Sequence, residues 1–322
     1  MTTNSTRWRR LAALLLVFCL PVTASLAQTP AQKQDISAKY NQSTLQQLQL
    51  QYKAQALDRK NEALRMAAQR GWDVIKTNSD GTFDELIAVA PDGSPIYYTI
   101  YNDDAAISTR ANHLNIGGST GFNLDGQNMT AHVWDGGPTR VTHQEFDGPG
   151  GSNRVSINDG VFSLNGNSFH AQHVTGTIVA SGVVARAKGM APQARAKTHD
   201  WNNDLSEATT EAANGMLVSN HSYGFRASLV PDWYFGAYIA ESRDWDNLMY
   251  NSPFYLMVVA AGNDGNDNSS NASPLNGNSS FDKLTGHSTS KNNMVVANGR
   301  DASIASDGSL ISVTINSGSS EG

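Results

Sequence analysis

From about residue 125 to residue 261 the sequence switches repeatedly between two periodicities. Met129–Trp134, Ala194–Thr198, Met216–Ser219 and Tyr255–Ala261 are apolar runs of strand length, whereas Val174–Ala180 and Leu205–Ala213 have helical spacing. Strands that alternate with helices must be joined by crossovers, so they pair in parallel and are covered on both faces. The expected class is α/β with a mostly parallel central sheet. Ser309–Asn316, after an Asp307-Gly308 turn, reads as a further strand, and no internal repeat is visible.

Upstream of this region the pattern is different. Residues 28–42, rich in Gln, Ala and Ser, read as a mobile segment, and Ser43-Thr44-Leu45-Gln46 reads as a capping box that opens a helix. Leu45, Leu48, Tyr52, Leu57, Leu64 and Ala68 carry the helical spacing to Gly71, a suitable stop, as one long helix or two in succession. Leu86–Ala90 and Ile96–Tyr101, joined through Pro91-Asp92-Gly93, form a hairpin signal. Residues 28–109 are therefore expected to form a small α+β unit, either a propeptide-like region or a packing layer on the main domain.

The first residues carry an address. Arg7, Arg9 and Arg10 precede the apolar run Leu11–Leu20, and Ser25-Leu26-Ala27 is a small-residue cleavage site, so residues 1–27 read as a signal peptide. The expected location is secreted, either extracellular or periplasmic, with no membrane association once the signal is removed. The only cysteine, Cys19, lies inside that segment, which leaves the mature chain without disulfides, thiol nucleophiles or cysteine-ligated zinc. The net charge of −6 and the lack of any long basic stretch argue against nucleic acid as a partner.

Three segments carry candidate chemistry. The run Ala131-His132-Val133-Trp134 ends on Asp135, followed by Gly136-Gly137, and functional groups gather at the carboxyl ends of strands in open α/β sheets. Phe169-His170-Ala171-Gln172-His173 places two histidines at the start of an apolar helix. Their spacing of three, with no intervening glutamate, departs from the helical zinc-protease motif, and a third ligand would be needed for a metal; no metal site is assigned. A histidine at a helix N-terminus suits a general base, and a nearby carboxylate would orient it, with Asp135 the obvious candidate. In Met257-Val258-Val259-Ala260-Ala261-Gly262-Asn263 a buried strand runs into an asparagine whose amide can donate to a developing oxyanion.

Taken together, the aspartate, the His-x-x-His-Val-x-Gly-Thr frame and Ala-Ala-Gly-Asn resemble the subtilisin-like serine protease family (peptidase S8, subtilases). Thr142-His143-Gln144-Glu145-Phe146, Gly189-Met190-Ala191-Pro192 and Val218-Ser219-Asn220-His221-Ser222-Tyr223-Gly224 fit the same pattern. The resemblance covers about residues 110–320 and implies a three-layer subtilisin-like domain over 110–322, incomplete in this chain. It implies roles too. Asp135 orients, His170 acts as base, Asn263 supplies the oxyanion donor and His173 is a structural second histidine. The backbone of Ser222, Tyr223 and Gly224 pairs with an extended polypeptide substrate.

Two departures stand out. Ala171-Gln172 replaces the Gly-Thr usual before the second histidine, and no Gly-Thr-Ser-Met-Ala segment supplies a nucleophile. The expectation is therefore a secreted serine endopeptidase truncated before its catalytic serine and inactive as it stands; the alternative is an inactive peptide-binding relative. The chemistry needs no cofactor. The Asn/Asp-rich run Asn263–Asn271 could offer oxygens to a structural calcium, with no particular site assigned.

Overall fold

A computed structural model describes residues 29–321, except 78–82, 101–108, 110, 147–152, 184–186, 274–276, 278–282, 301 and 308. The proposed signal segment 1–27, Cys19 and the end of the expected hairpin at Tyr101 lie outside the described residues.

In chain order the elements are α1 (Pro30–Ser37), α2 (Gln42–Arg70), β1 (Ile75–Thr77), β2 (Phe83–Val89), β3 (Pro95–Ile100), β4 (Thr130–Asp135) and β5 (Val155–Ile157). Then follow α3 (Ser168–Val179), β6 (Arg195–Asp200), α4 (Asp204–Ala213), β7 (Val218–His221), β8 (Tyr223–Phe225) and α5 (Ala240–Asn251). The last are β9 (Leu256–Ala260), β10 (Met294–Val296), β11 (Ser303–Ile304) and β12 (Leu310–Ser312). A six-stranded sheet runs β10-β9-β7-β4-β6-β5, with every pairing parallel. The α/β class expected from the alternating periodicities is the observed one.

Strand β4 shows how the layers form. Side chains along a strand point alternately to opposite faces. Asp135 faces α3, where His170 meets it, while Trp134 faces α4 and donates from Nε1 to Glu207 Oε2 at 3.0 Å. The parallel register sets His199 of β6 and His221 of β7 beside Trp134. Their rings stack on the indole at centroid distances of 4.3 and 5.3 Å.

The N-terminal elements are joined to this framework rather than tethered beside it. Tyr40, Leu45, Tyr52, Ile96 and Tyr98 share one buried cluster with Trp134, Trp201, Leu205, Trp245 and Met257. The Tyr52 hydroxyl donates to the Asp244 carbonyl, and Arg226 pairs with buried Asp84 at 3.1 Å. β1, β2, β3 and β8 form a second, antiparallel sheet, so one strand of the main domain belongs to the N-terminal sheet.

Three local expectations are corrected. Residues 30–37, expected to be mobile, form a helix: Thr29 and Gln32 make a reciprocal capping box, and Pro30 stands in the first turn, where its missing N–H costs nothing. α2 is one helix and is capped by Asn41, whose side chain accepts from Thr44 N, rather than by Ser43. Its expected stop holds, because Gly71 takes a left-handed φ of 71° that a side chain would oppose. The strand expected over Met216–Ser219 is shifted to Val218–His221, and α5, β5 and β10 have no counterpart in the sequence reading. No described helix is long and apolar enough to cross a membrane.

Candidate active site

The central strands end together. Register pairs Trp134 with His221, and His221 with Val259, so Asp135, Ser222 and Ala260 stand at the same level on β4, after β7 and on β9. The segments that carry Asp135, Ser222–Gly224 and Asn263 therefore leave the same edge of the sheet.

Asp135 closes β4 and is almost fully buried. Its carboxylate oxygens each lie 2.9 Å from His170 Nδ1, and Gly136 N–H donates to Oδ1 at 2.7 Å. An ionised carboxylate can only accept, so this contact holds the proton on Nδ1 and leaves the Nε2 lone pair free to take another. Nε2 is buried and has no hydrogen-bond partner among the described residues. A base oriented by a carboxylate, with its second nitrogen unspent, can accept a proton from a nucleophile and return it to a leaving group.

The paired glycines after Asp135 have a packing cause. A Cβ on Gly136 would lie 2.4 Å from Asn167 Nδ2, and one on Gly137 would lie 2.2 Å from Asn165 Oδ1. The chain leading into α3 sits that close to the end of β4, which brings the His170 ring to Asp135. Asn165 Nδ2 also donates to the Gly136 carbonyl at 3.1 Å. Asn167 was not singled out from sequence. It is wholly buried beside the pair, and neither of its side-chain polar atoms has a partner among the described residues. The only sequence signal for it was an asparagine at the threshold of a helix.

His173, three residues on, is solvent-exposed, unlike His170. Asn263 follows Gly262, which has a φ of 114°, and lies exposed at the end of the β9 run. Farther along that loop, Asp267 accepts from Ser269 and Ser270. Burial works to raise its carboxyl, but those bonds outweigh it and hold it down to about 2. Its oxygens thus serve the loop itself.

The expected substrate strand is already paired. β3 runs antiparallel to β8, with Tyr98 opposite Phe225, Thr99 opposite Gly224 and Ile100 opposite Tyr223. The Tyr223 side chain points away into the core, where its hydroxyl donates to Asp204 Oδ2 at 2.8 Å and accompanies His221 Nδ1.

Residues 141–320 match the model of the subtilase family (peptidase S8), a span that includes His170, Ser222–Gly224 and Asn263, with Asp135 just upstream. The chain belongs to the subtilase family. Similar solved structures include a serine-to-alanine mutant of the protease domain of PatA, at 19% identity and a TM-score of 0.40, covering 61% of this chain and 62% of that one. Another is the Clostridium perfringens CspB protease, at 20% identity and a TM-score of 0.37, covering 50% and 41%. The chain thus spans less than two thirds of either. Among curated proteins none matches it.

Proposed function

We propose that this subtilase is a secreted serine endopeptidase in which Asp135, His170 and Asn263 carry out acyl transfer on polypeptides. The observation that carries the reading is the buried Asp135–His170 contact, 2.9 Å from both carboxylate oxygens to Nδ1, with Nε2 left without a partner among the described residues. In this reading His170 removes the proton of a serine hydroxyl as that oxygen attacks the scissile carbonyl. It then donates the same proton to the departing amine, while Asp135 stabilises the intervening imidazolium. The Asn263 amide donates to the oxyanion. No serine of this chain is assigned as the nucleophile, because no Gly-Thr-Ser-Met-Ala segment occurs in it. Secretion follows from the Arg-Leu leader read at residues 1–27.

Peptide is held as an added strand along Ser222–Gly224. This mode satisfies main-chain donors and acceptors whatever the side chains, which suits an endopeptidase. The antiparallel pairing of β3 with β8 supports it, because β3 makes the contact an incoming peptide would make. We assign residues 28–109 accordingly as a propeptide-like unit whose strand competes with substrate.

The same pairing also fits the second reading, a relative that binds peptides without cleaving them. Hydrolysis of an unstructured polypeptide by protein expressed from the coding frame that contains these residues separates the two. Turnover that disappears in Asp135→Asn supports the protease. Saturable peptide binding with no turnover from that frame establishes the binding module instead.

A further inference from the structure

On the face of the sheet opposite Asp135, three side chains converge that the reaction does not use. His132 stands two residues before Trp134 and so shares its face, toward α4. His199, on β6, lies directly across from Trp134 and hence diagonal to His132. α4 brings Glu211 over the gap between them. One ligand atom from each of the three lies within 4.8 Å of the others. His132 Nδ1 is 3.8 Å from Glu211 Oε2, and His199 Nε2 is 3.6 Å from Oε1.

We propose that His132, His199 and Glu211 form a binding site for a transition-metal ion of the zinc type. These separations are too long for hydrogen bonds. They are close to the spacing of about 3.3–3.5 Å between ligand atoms around a tetrahedral zinc ion with bonds of about 2.0–2.2 Å. Both histidines are buried, at 4% and 3% exposure. The His132 nitrogen that faces Glu211, Nδ1, has no hydrogen-bond partner among the described residues. Burying an unpaired imidazole nitrogen is costly, and a metal ion bound there removes that cost.

The site also has the supports that metal ligands need. The Trp134 indole stacks on His199 at 4.3 Å and 10° and lies parallel to His132 at 16°, which fixes both ring planes. Lys197 Nζ donates to Glu211 Oε2 at 2.8 Å, and Asn158 Nδ2 reaches Oε1 at 3.4 Å, so the carboxylate is oriented from outside. The ligand set selects among ions. Two imidazoles with one carboxylate suit zinc, copper or nickel, whereas magnesium and calcium require oxygen. A cleft lined by Lys53, Asp159, His199, Glu207 and Glu211 reaches two of the three groups, His199 and Glu211. An ion here would tie β4, β6 and α4 together behind the catalytic pair, as a structural site.

The test is zinc stoichiometry by elemental analysis after loading the purified full chain and dialysing it, with the visible spectrum of the cobalt-substituted protein alongside. About one equivalent of zinc, and an intense tetrahedral cobalt absorption, are expected for the parent protein. Both should fall by at least about tenfold in Glu211→Gln and in His132→Asn, while His170→Ala and His173→Ala keep them. No zinc above the Glu211→Gln level, or metal lost with His170 or His173 instead, would overturn the assignment. The cobalt spectrum is read on the unaltered protein, so the proposal stays exposed even if a variant fails to fold.

Discussion

The two faces of β4 do different work, although their residues alternate along the same strand. The α3 face ends in Asp135, a carboxylate whose neighbours are a histidine and a backbone amide. The α4 face carries His132 and Trp134, which lie in a layer of stacked rings capped by carboxylates of α4. Both are buried. Only the first stands at the carboxyl end of the strand, on the rim of the sheet. Burial of polar groups therefore does not by itself single out a reaction site; position at the carboxyl end of the strand is what points to Asp135.

Substitutions on each face should separate these roles. The largest effect belongs to Asp135→Asn, which keeps the side-chain volume but loses the carboxylate that fixes the Nδ1 proton. On the proposed function, protein expressed from the coding frame that contains these residues is expected to lose about 10⁴-fold in turnover number for an unstructured polypeptide, equivalent to about 5 kcal/mol of transition-state stabilisation, with the thermal midpoint nearly unchanged. A matching loss of stability would merge the two faces into one structural unit and undo the comparison.

Trp134→Ala is its mirror image. It removes the ring between His199 and His221 and leaves Glu207 without its donor. Urea unfolding should show a loss of about 3–5 kcal/mol, and a variant as stable as the parent protein would deny the ring layer its role in holding the sheet to α4.

Asn263→Ala comes next, costing about 10²–10³-fold in turnover if its amide donates to the oxyanion. Because the residue is exposed, stability should change by no more than about 0.5 kcal/mol. Unchanged turnover would strike Asn263 from the site.

The smallest effect concerns pH. Burial, followed by the charge of Glu241, pushes the Asp204 carboxyl up to about 6, against the Tyr223 hydroxyl and His287. A carboxyl raised in the folded state favours folding below its ordinary value of about 4, and that contribution is lost as pH rises through about 6. Asp204→Asn should flatten stability between about pH 4 and pH 7, and an equally steep profile in the variant would assign the slope to other groups.

Much of this architecture was legible in the sequence because it depends on short-range rules. The alternating periodicities announced a parallel sheet. Gly71 announced the end of α2, and the strand ending in Asp135-Gly136-Gly137 announced a rim. The failures were local as well. Thr29 and Gln32 form a capping box that composition disguised as a mobile stretch, and the helical α5 was not singled out at all.

What the sequence by itself determined is the set of segments, the layers they must form and the residues able to do acid–base chemistry, since propensity, periodicity and capping act within a few residues. Only the tertiary structure decided which of them meet. His170 reaches Asp135 across 35 residues, β3 lies on Gly224, and Glu211 arrives over His132 and His199. Those meetings depend on strand order and register, which are set when the whole core closes and every side chain takes its face at once.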